Sequence, residues 1–145
     1  MTSPAELSGQ HTLRTAVARY DELRTRDALT TGAAEDDAPE VAAAEGLSQA
    51  ETLELLALSQ VIASKAGHGQ QLGVRSARRA GASWSAIGRA LDMSKQAAWE
   101  AHTRWIEDQA DQHRASGYEG LDDAEAARAR GLAGRAEDDG GGSGQ

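Results

Sequence analysis

The sequence predicts an all-α fold, and three observations carry that prediction. Apolar residues recur at three- and four-residue steps in several segments, the period of one face of a helix. Serines stand just ahead of those segments, where a side-chain oxygen can cap the free N–H groups of a first turn. No segment alternates apolar and polar residues as a half-buried strand does. The expected architecture is a small helical bundle with flexible acidic termini, in which two helices are joined by a tight turn.

Residues 1–9 read as disordered. From about 11 to 29, Leu13, Val17, Tyr20 and Leu23 recur at helical steps, with Arg14, Arg19, Glu22 and Arg26 between them. The stripe is narrow, so this amphipathic helix needs a partner; the expected one is the helix of residues 49–66, in the same chain or across a dimer. Residues 30–46, TTGAAEDDAPEVAAAEG, combine Gly, Pro and acids and read as an acidic linker with a short helix after Pro39. Ser48 with Glu51 three residues on makes a capping box. It opens a helix whose apolar side is Leu53, Leu56, Ala57, Leu58, Val61 and Ile62, running to about Ala66. Gly67-His68-Gly69 is expected to break it. A separate helix is expected from about Gln70 to Ala80, with Leu72, Val74, Ala77 and Ala80 for packing and Gly81 as its stop. Ser83 caps a short helix over 84–91, and Ser94 caps another from Lys95 to 110–112. Beyond lie SGYEG, a short Ala- and Arg-rich helix around 121–133, and the Gly-rich acidic end AEDDGGGSGQ. The expected division is 1–47, 48–112 and 113–145, with the middle part the domain and the last an acidic tail.

Composition narrows the function. There is no Cys, which excludes disulfides and thiolate metal sites, and no Phe, so the core rests on Leu, Val, Ile, Ala and three Trp. No apolar run approaches the roughly 18 residues of a membrane span. The N-terminus lacks the basic and apolar regions of a secretory signal. A cytoplasmic protein with no membrane contact is expected. The formal net charge of -8 is unevenly spread. Residues 1–64 hold four Arg against eleven acids, and residues 107–145 hold four Arg against ten. Residues 65–106 carry Lys65, Arg75, Arg78, Arg79, Arg89, Lys95 and Arg104 against only Asp92 and Glu100, a net of +5. Charges beyond a Debye length of ~8–10 Å are largely screened, so a local basic field can act on a polyanion despite the acidic whole.

That basic segment contains GASWSAIGRALDMSKQAAWEAHTRW, residues 81–105. Two helices joined by a three-residue turn define the helix-turn-helix. Ile87 and Leu91 face inward from the first helix, and Gly88 stands where the helices cross closely. The turn is Asp92-Met93-Ser94. Its first residue needs a left-handed backbone, which Asp tolerates better than most residues. Met93 is expected to tuck under the turn, with Ala98, Ala101 and Trp105 on the inner face of the second helix.

RRAGASWSAIGRALDMSKQAAWEAHTRW, residues 78–105, resembles the helix-turn-helix proteins common in actinobacteria, whose core reads approximately RxAGxSWxxIGxALGxSxQAAxxRW. It departs at Asp92, where that family usually has Gly, and at Ala101–Thr103, which lengthens the approach to Trp105. The resemblance covers about a fifth of the chain and implies a sequence-specific regulator of transcription on double-stranded DNA, nucleoid-associated. Such readers usually dimerise on paired half-sites, so a homodimer is expected.

On that geometry the outward residues of the recognition helix are Ser94, Lys95, Gln96, Trp99, Glu100 and Thr103. Gln96 suits adenine, and Lys95 suits guanine or a phosphate. Arg75, Arg78, Arg79 and Arg89 are placed to grip the backbone. Plainer readings stand beside these. Trp84 reads as core. Trp99 suits DNA or another subunit equally. Glu100 suits cytosine, or a solvated pair with Arg104 four residues on. The Arg75-Arg78-Arg79 cluster also suits a solvated face. His102 and His113 can share a helix face, but no third ligand completes a metal set, and His68 reads as a loop residue. Neither a cofactor nor an enzyme activity is expected: no nucleophile elbow or phosphate loop is present. The alternative is an adaptor that docks another transcription protein, with Trp99 and Trp105 as anchors. The acidic arms are expected to compete for the basic face, so that removing residues 114–145 tightens non-specific DNA binding.

Overall fold

The computed structural model of the chain describes residues 2–36 and 46–138. The protein is all-α, with no strand among the described residues. The helices are α1 (Pro4–Gln10), α2 (Leu13–Asp36), α3 (Gln49–Arg79), α4 (Trp84–Leu91), α5 (Lys95–Ser116) and α6 (Asp123–Ala133). They gather into two compact units, Met1–His68 and Gly69–Gln145. No helix of the described residues is long and apolar enough to cross a membrane.

The first unit begins with a short helix, α1, where disorder is expected over residues 1–9. Ser3 and Glu6 form a reciprocal capping box, Pro4 stands at the first helical position, and Leu7 is buried. Thr12 and Thr15 exchange hydrogen bonds at the start of α2, and this helix continues past residue 29 to Asp36. The core is Leu7, Ala16, Leu23, Leu55, Ala57, Leu58 and Val61, edged by Tyr20, Leu47 and Ile62. It differs from the expected stripes. Leu13, Val17, Leu53 and Leu56 stay exposed, while Ala16 and Leu55 take the inner positions. A buried Ala lets two helices approach closely, and two ion pairs flank the contact. Arg19 grips Glu54 with both bonds at 2.9 Å, and Arg26 reaches Glu51 at 2.7 Å. Rising numbers on α2 meet falling numbers on α3, so the two run antiparallel within one chain. The short helix expected after Pro39 lies outside the described residues.

The helix α3 does not break at Gly67-His68-Gly69. A glycine inside a helix costs only about 1 kcal/mol relative to Ala, and Ser48 with Glu51 caps the start as expected. The first part of α3 belongs to one unit and its end, from Gly69, to the other.

The second unit packs α4, α5, α6 and the end of α3 around Val74, Trp84, Ile87, Ala98, Ile106, Ala110, Leu121, Ala126, Ala129 and Ala133. Helix α5 extends to Ser116 and stops at Gly117, whose φ is 83°. The chain then reverses through Gly120, at φ 74°, where a Cβ would overlap the Gln109 carbonyl. That close approach lets the Leu121 N–H donate to the Gln109 oxygen at 3.1 Å. Asp122 and Glu125 cap α6 reciprocally. Helix α6 runs back along α5, tied at the surface by Arg130 and Glu107 at 2.7 Å. Residues 113–138 are therefore not a free arm. They include buried Leu121, Ala126, Ala129, Ala133 and Ala136.

Candidate nucleic-acid interface

The candidate interface lies in the second unit, around the turn between α4 and α5. Ser83 accepts the Ala86 N–H at 3.0 Å and starts α4. Ile87 and Gly88 are buried on its inner side. A Cβ on Gly88 would stand 2.6 Å from the Met93 carbonyl oxygen and 3.1 Å from the Ser94 carbonyl carbon. Only glycine lets the turn sit this close to α4. Asp92 then takes φ 55°, ψ 49°, the only left-handed non-glycine among the described residues. Its side chain costs less there than most. The Met93 N–H donates to the Gly88 oxygen at 2.9 Å. Ser94 accepts the Ala97 N–H at 3.0 Å and starts α5. Ala98 is buried against α4, while Leu91, Ala101 and Trp105 are half-buried. Met93 does not tuck under the turn; its side chain stays exposed.

The outward residues fall into two groups. Ser94, Lys95, Gln96 and Glu100 are exposed. The Gln96 amide donates to Glu100 at 3.0 Å, so Glu100 pairs with the residue one turn before it rather than with Arg104 one turn after. Trp99 and Thr103 are half-buried and do not project freely. The Trp99 indole N–H donates to the Gly134 carbonyl at 2.8 Å. The Thr103 hydroxyl donates to the Trp99 carbonyl one turn back. The segment after α6 thus lies on the second half of the face that sequence spacing turned outward. Tracking the local motif could not reveal this, because the covering residues lie 35 positions away.

The basic residues separate in the same way. Arg89 and Arg79 are exposed. Arg78 is a clamp: its guanidinium lies 5.1 Å over the Trp84 ring and donates to the carbonyls of Ala82, at 2.9 Å, and Leu132, at 3.2 Å. Arg75 is half-buried, 6.0 Å from the Trp105 ring centre. Trp84 is fully buried, as expected of a core residue, and donates to the Ala133 carbonyl at 2.8 Å.

His102, weighed in the sequence only as a metal ligand, is a buried structural group. Its ring stacks on Trp105 at 5.5 Å and stands 5.8 Å from Trp84. Its Nδ1 lies 2.9 Å from the Gln71 side-chain carbonyl oxygen, so Nδ1–H donates to it. Burial, with Arg75 and Arg78 nearby, pushes its pKa down to about 4. His113 donates instead to the Glu119 carbonyl in the α5–α6 connection. Among the described residues no group of three His, Asp or Glu is placed to hold a metal.

No protein-family model, curated protein or solved structure matches the chain.

Proposed function

We propose that the second unit is a sequence-specific reader of double-stranded DNA and that the protein regulates transcription, with α5 as the major-groove helix. The observation that carries this reading is the turn. Gly88, left-handed Asp92 and the Ser94 cap hold α5 against α4, and Ser94, Lys95 and Gln96 are exposed on its first turn, Gln96 bonded only to Glu100 on the same face. Recognition helices of this type meet base edges with their N-terminal residues. In this role Gln96, freed from Glu100, pairs with adenine, and Lys95 meets guanine or phosphate. Ser94 adds a phosphate contact at the helix N-terminus. Exposed Arg89 and Arg79 supply the position- and salt-dependent grip. Arg78 and Trp99 are left out of the interface, since both are engaged within the unit. A homodimer on paired half-sites supplies the surface that one helix lacks.

The adaptor alternative takes Trp99 and Trp105 as its anchors. Trp99 is bonded to Gly134 and Trp105 is stacked on His102, so both are already engaged within the unit, which favours the first turn of α5 as the contact surface. The test is the double substitution Lys95→Ala with Gln96→Ala in the full chain, read by anisotropy on selected duplexes. Loss of selective binding with helicity unchanged supports the reading; unchanged selectivity rejects α5 as the reader.

A further inference from the structure

A second feature of this unit goes beyond DNA reading by α5. Arg75 and Arg79, one turn apart on α3, and Arg128 on α6 line one cleft of about 410 Å³, with Glu125, Ala129 and Leu132. We propose that this cleft binds a phosphate group.

Four observations converge on it. First, these three guanidiniums share one cleft with a single carboxylate, Glu125, and none of them reaches a carboxylate of the described residues within ion-pair distance. Arg19, Arg24, Arg26, Arg114 and Arg130 each reach a carboxylate. Arg75, Arg79 and Arg128 form no ion pair among the described residues, in a chain with 23 acids to 15 bases. Second, the one acid in the cleft is committed, since Glu125 accepts the Asp122 N–H at 3.1 Å to cap α6. Three positive charges against one negative leave an excess of two, which matches a phosphate monoester near pH 7. Third, the Nε of Arg75 is fully buried with no hydrogen-bond partner in the protein. A buried donor without an acceptor is unfavourable, so the Arg75 guanidinium is not fully satisfied within the protein. Fourth, Arg75 is held in place: its guanidinium lies 6.0 Å from the Trp105 ring centre, and Arg79 follows it one helical turn on. Planar guanidinium forks match phosphate oxygens two at a time, which a solvated lysine face does not do. The cleft volume lies within the range of small-ligand sites.

The phosphate can belong to a small phosphorylated molecule or to a DNA backbone, and one set of variants separates these. Arg79→Ala and Arg128→Ala remove exposed side chains, and circular dichroism checks that the helices persist. Inorganic phosphate is titrated into the full chain by calorimetry at constant ionic strength. The expected result is saturable binding weakened by ~tenfold or more in each variant, since each loses a charge-assisted contact. Arg114→Ala, which removes the same charge elsewhere, should leave binding intact. That outcome assigns a free phosphorylated ligand. If inorganic phosphate gives no heat but each variant lowers the salt slope of duplex binding by about 1, the phosphate is that of DNA. The proposal is overturned if neither effect appears, or if Arg114→Ala weakens phosphate binding as much as the cleft variants. The phosphate arm is independent of Lys95 and Gln96, so failure of the DNA reading and failure of this site are told apart.

Discussion

The two units share one use of arginine and differ in another. Each ties two helices with Arg–Glu pairs, Arg19–Glu54 and Arg26–Glu51 in the first and Arg130–Glu107 in the second. Only the second also places arginines against indole rings. In the first, Arg19 and Arg26 on α2 each close on a glutamate of α3, so charge is consumed in holding two helices together. In the second, Arg78 bonds backbone carbonyls over an indole ring, and Arg75, Arg79 and Arg128 meet no carboxylate among the described residues. The cores differ to match. The first is aliphatic. The second is built on Trp84, His102 and Trp105 with a layer of alanines from α6.

The largest expected effect bears on that aromatic core. Trp84→Ala removes a fully buried indole and its bond to the Ala133 carbonyl. It should destabilise the second unit by about 3–5 kcal/mol, read by urea denaturation followed through helicity. A loss below about 1 kcal/mol would show that Trp84 is not the keystone of the unit.

Acid should separate the units next. The His102 pKa near 4 lies below its ordinary 6.5, so the unfolded chain binds this proton more readily. The corresponding stability is complete above pH ~6.5 and is lost as pH falls toward 4, roughly 3 kcal/mol in all. In the first unit, Arg26 and the Ser48 cap hold Glu51 down to about 2. Its contribution is present above the usual carboxylate range near 4.5 and is lost only as pH falls toward 2. All three Trp lie in the second unit, so tryptophan fluorescence should change at higher pH than total helicity. Coincident transitions would contradict the distinction.

Gly88→Ala drives a methyl into the Met93 carbonyl and should cost about 1–3 kcal/mol, with the Trp signal as readout. A neutral result would mean the turn is not held against α4. Asp92→Gly should do the reverse, stabilising by about 0.5–1 kcal/mol because glycine adopts the left-handed turn without strain. A clear loss of stability would assign the Asp92 side chain a role that no contact explains. Smallest of all, Arg19→Ala should cost about 0.2–1 kcal/mol, fading with salt as partly exposed ion pairs do. A salt-independent loss would point to packing by the arginine stem instead.

Local features were legible in the sequence and distant ones were not. Ser48 with Glu51, Ser83, Gly88, Asp92 and Ser94 could be read because a cap or a tight turn is decided within four or five residues. The same logic was available at Ser3 and Glu6, where a capping box marks α1. The glycines of α3 misled because a glycine weakens a helix without ending one. The packing of α6 was hidden because its inward residues are Ala126, Ala129 and Ala133, which make no hydrophobic stripe by size. The outward face of α5 was legible only in its first turn. Beyond it, Trp99 looked free until the chain returned through Gly134.

The central claim is that the first turn of α5 reads DNA despite a net charge of -8. The direct measurement is fluorescence anisotropy of the full chain on pooled genomic duplex fragments, across roughly 50–200 mM salt. Binding should weaken steeply with salt while a subset of fragments is retained selectively. No binding at the lowest salt would contradict it.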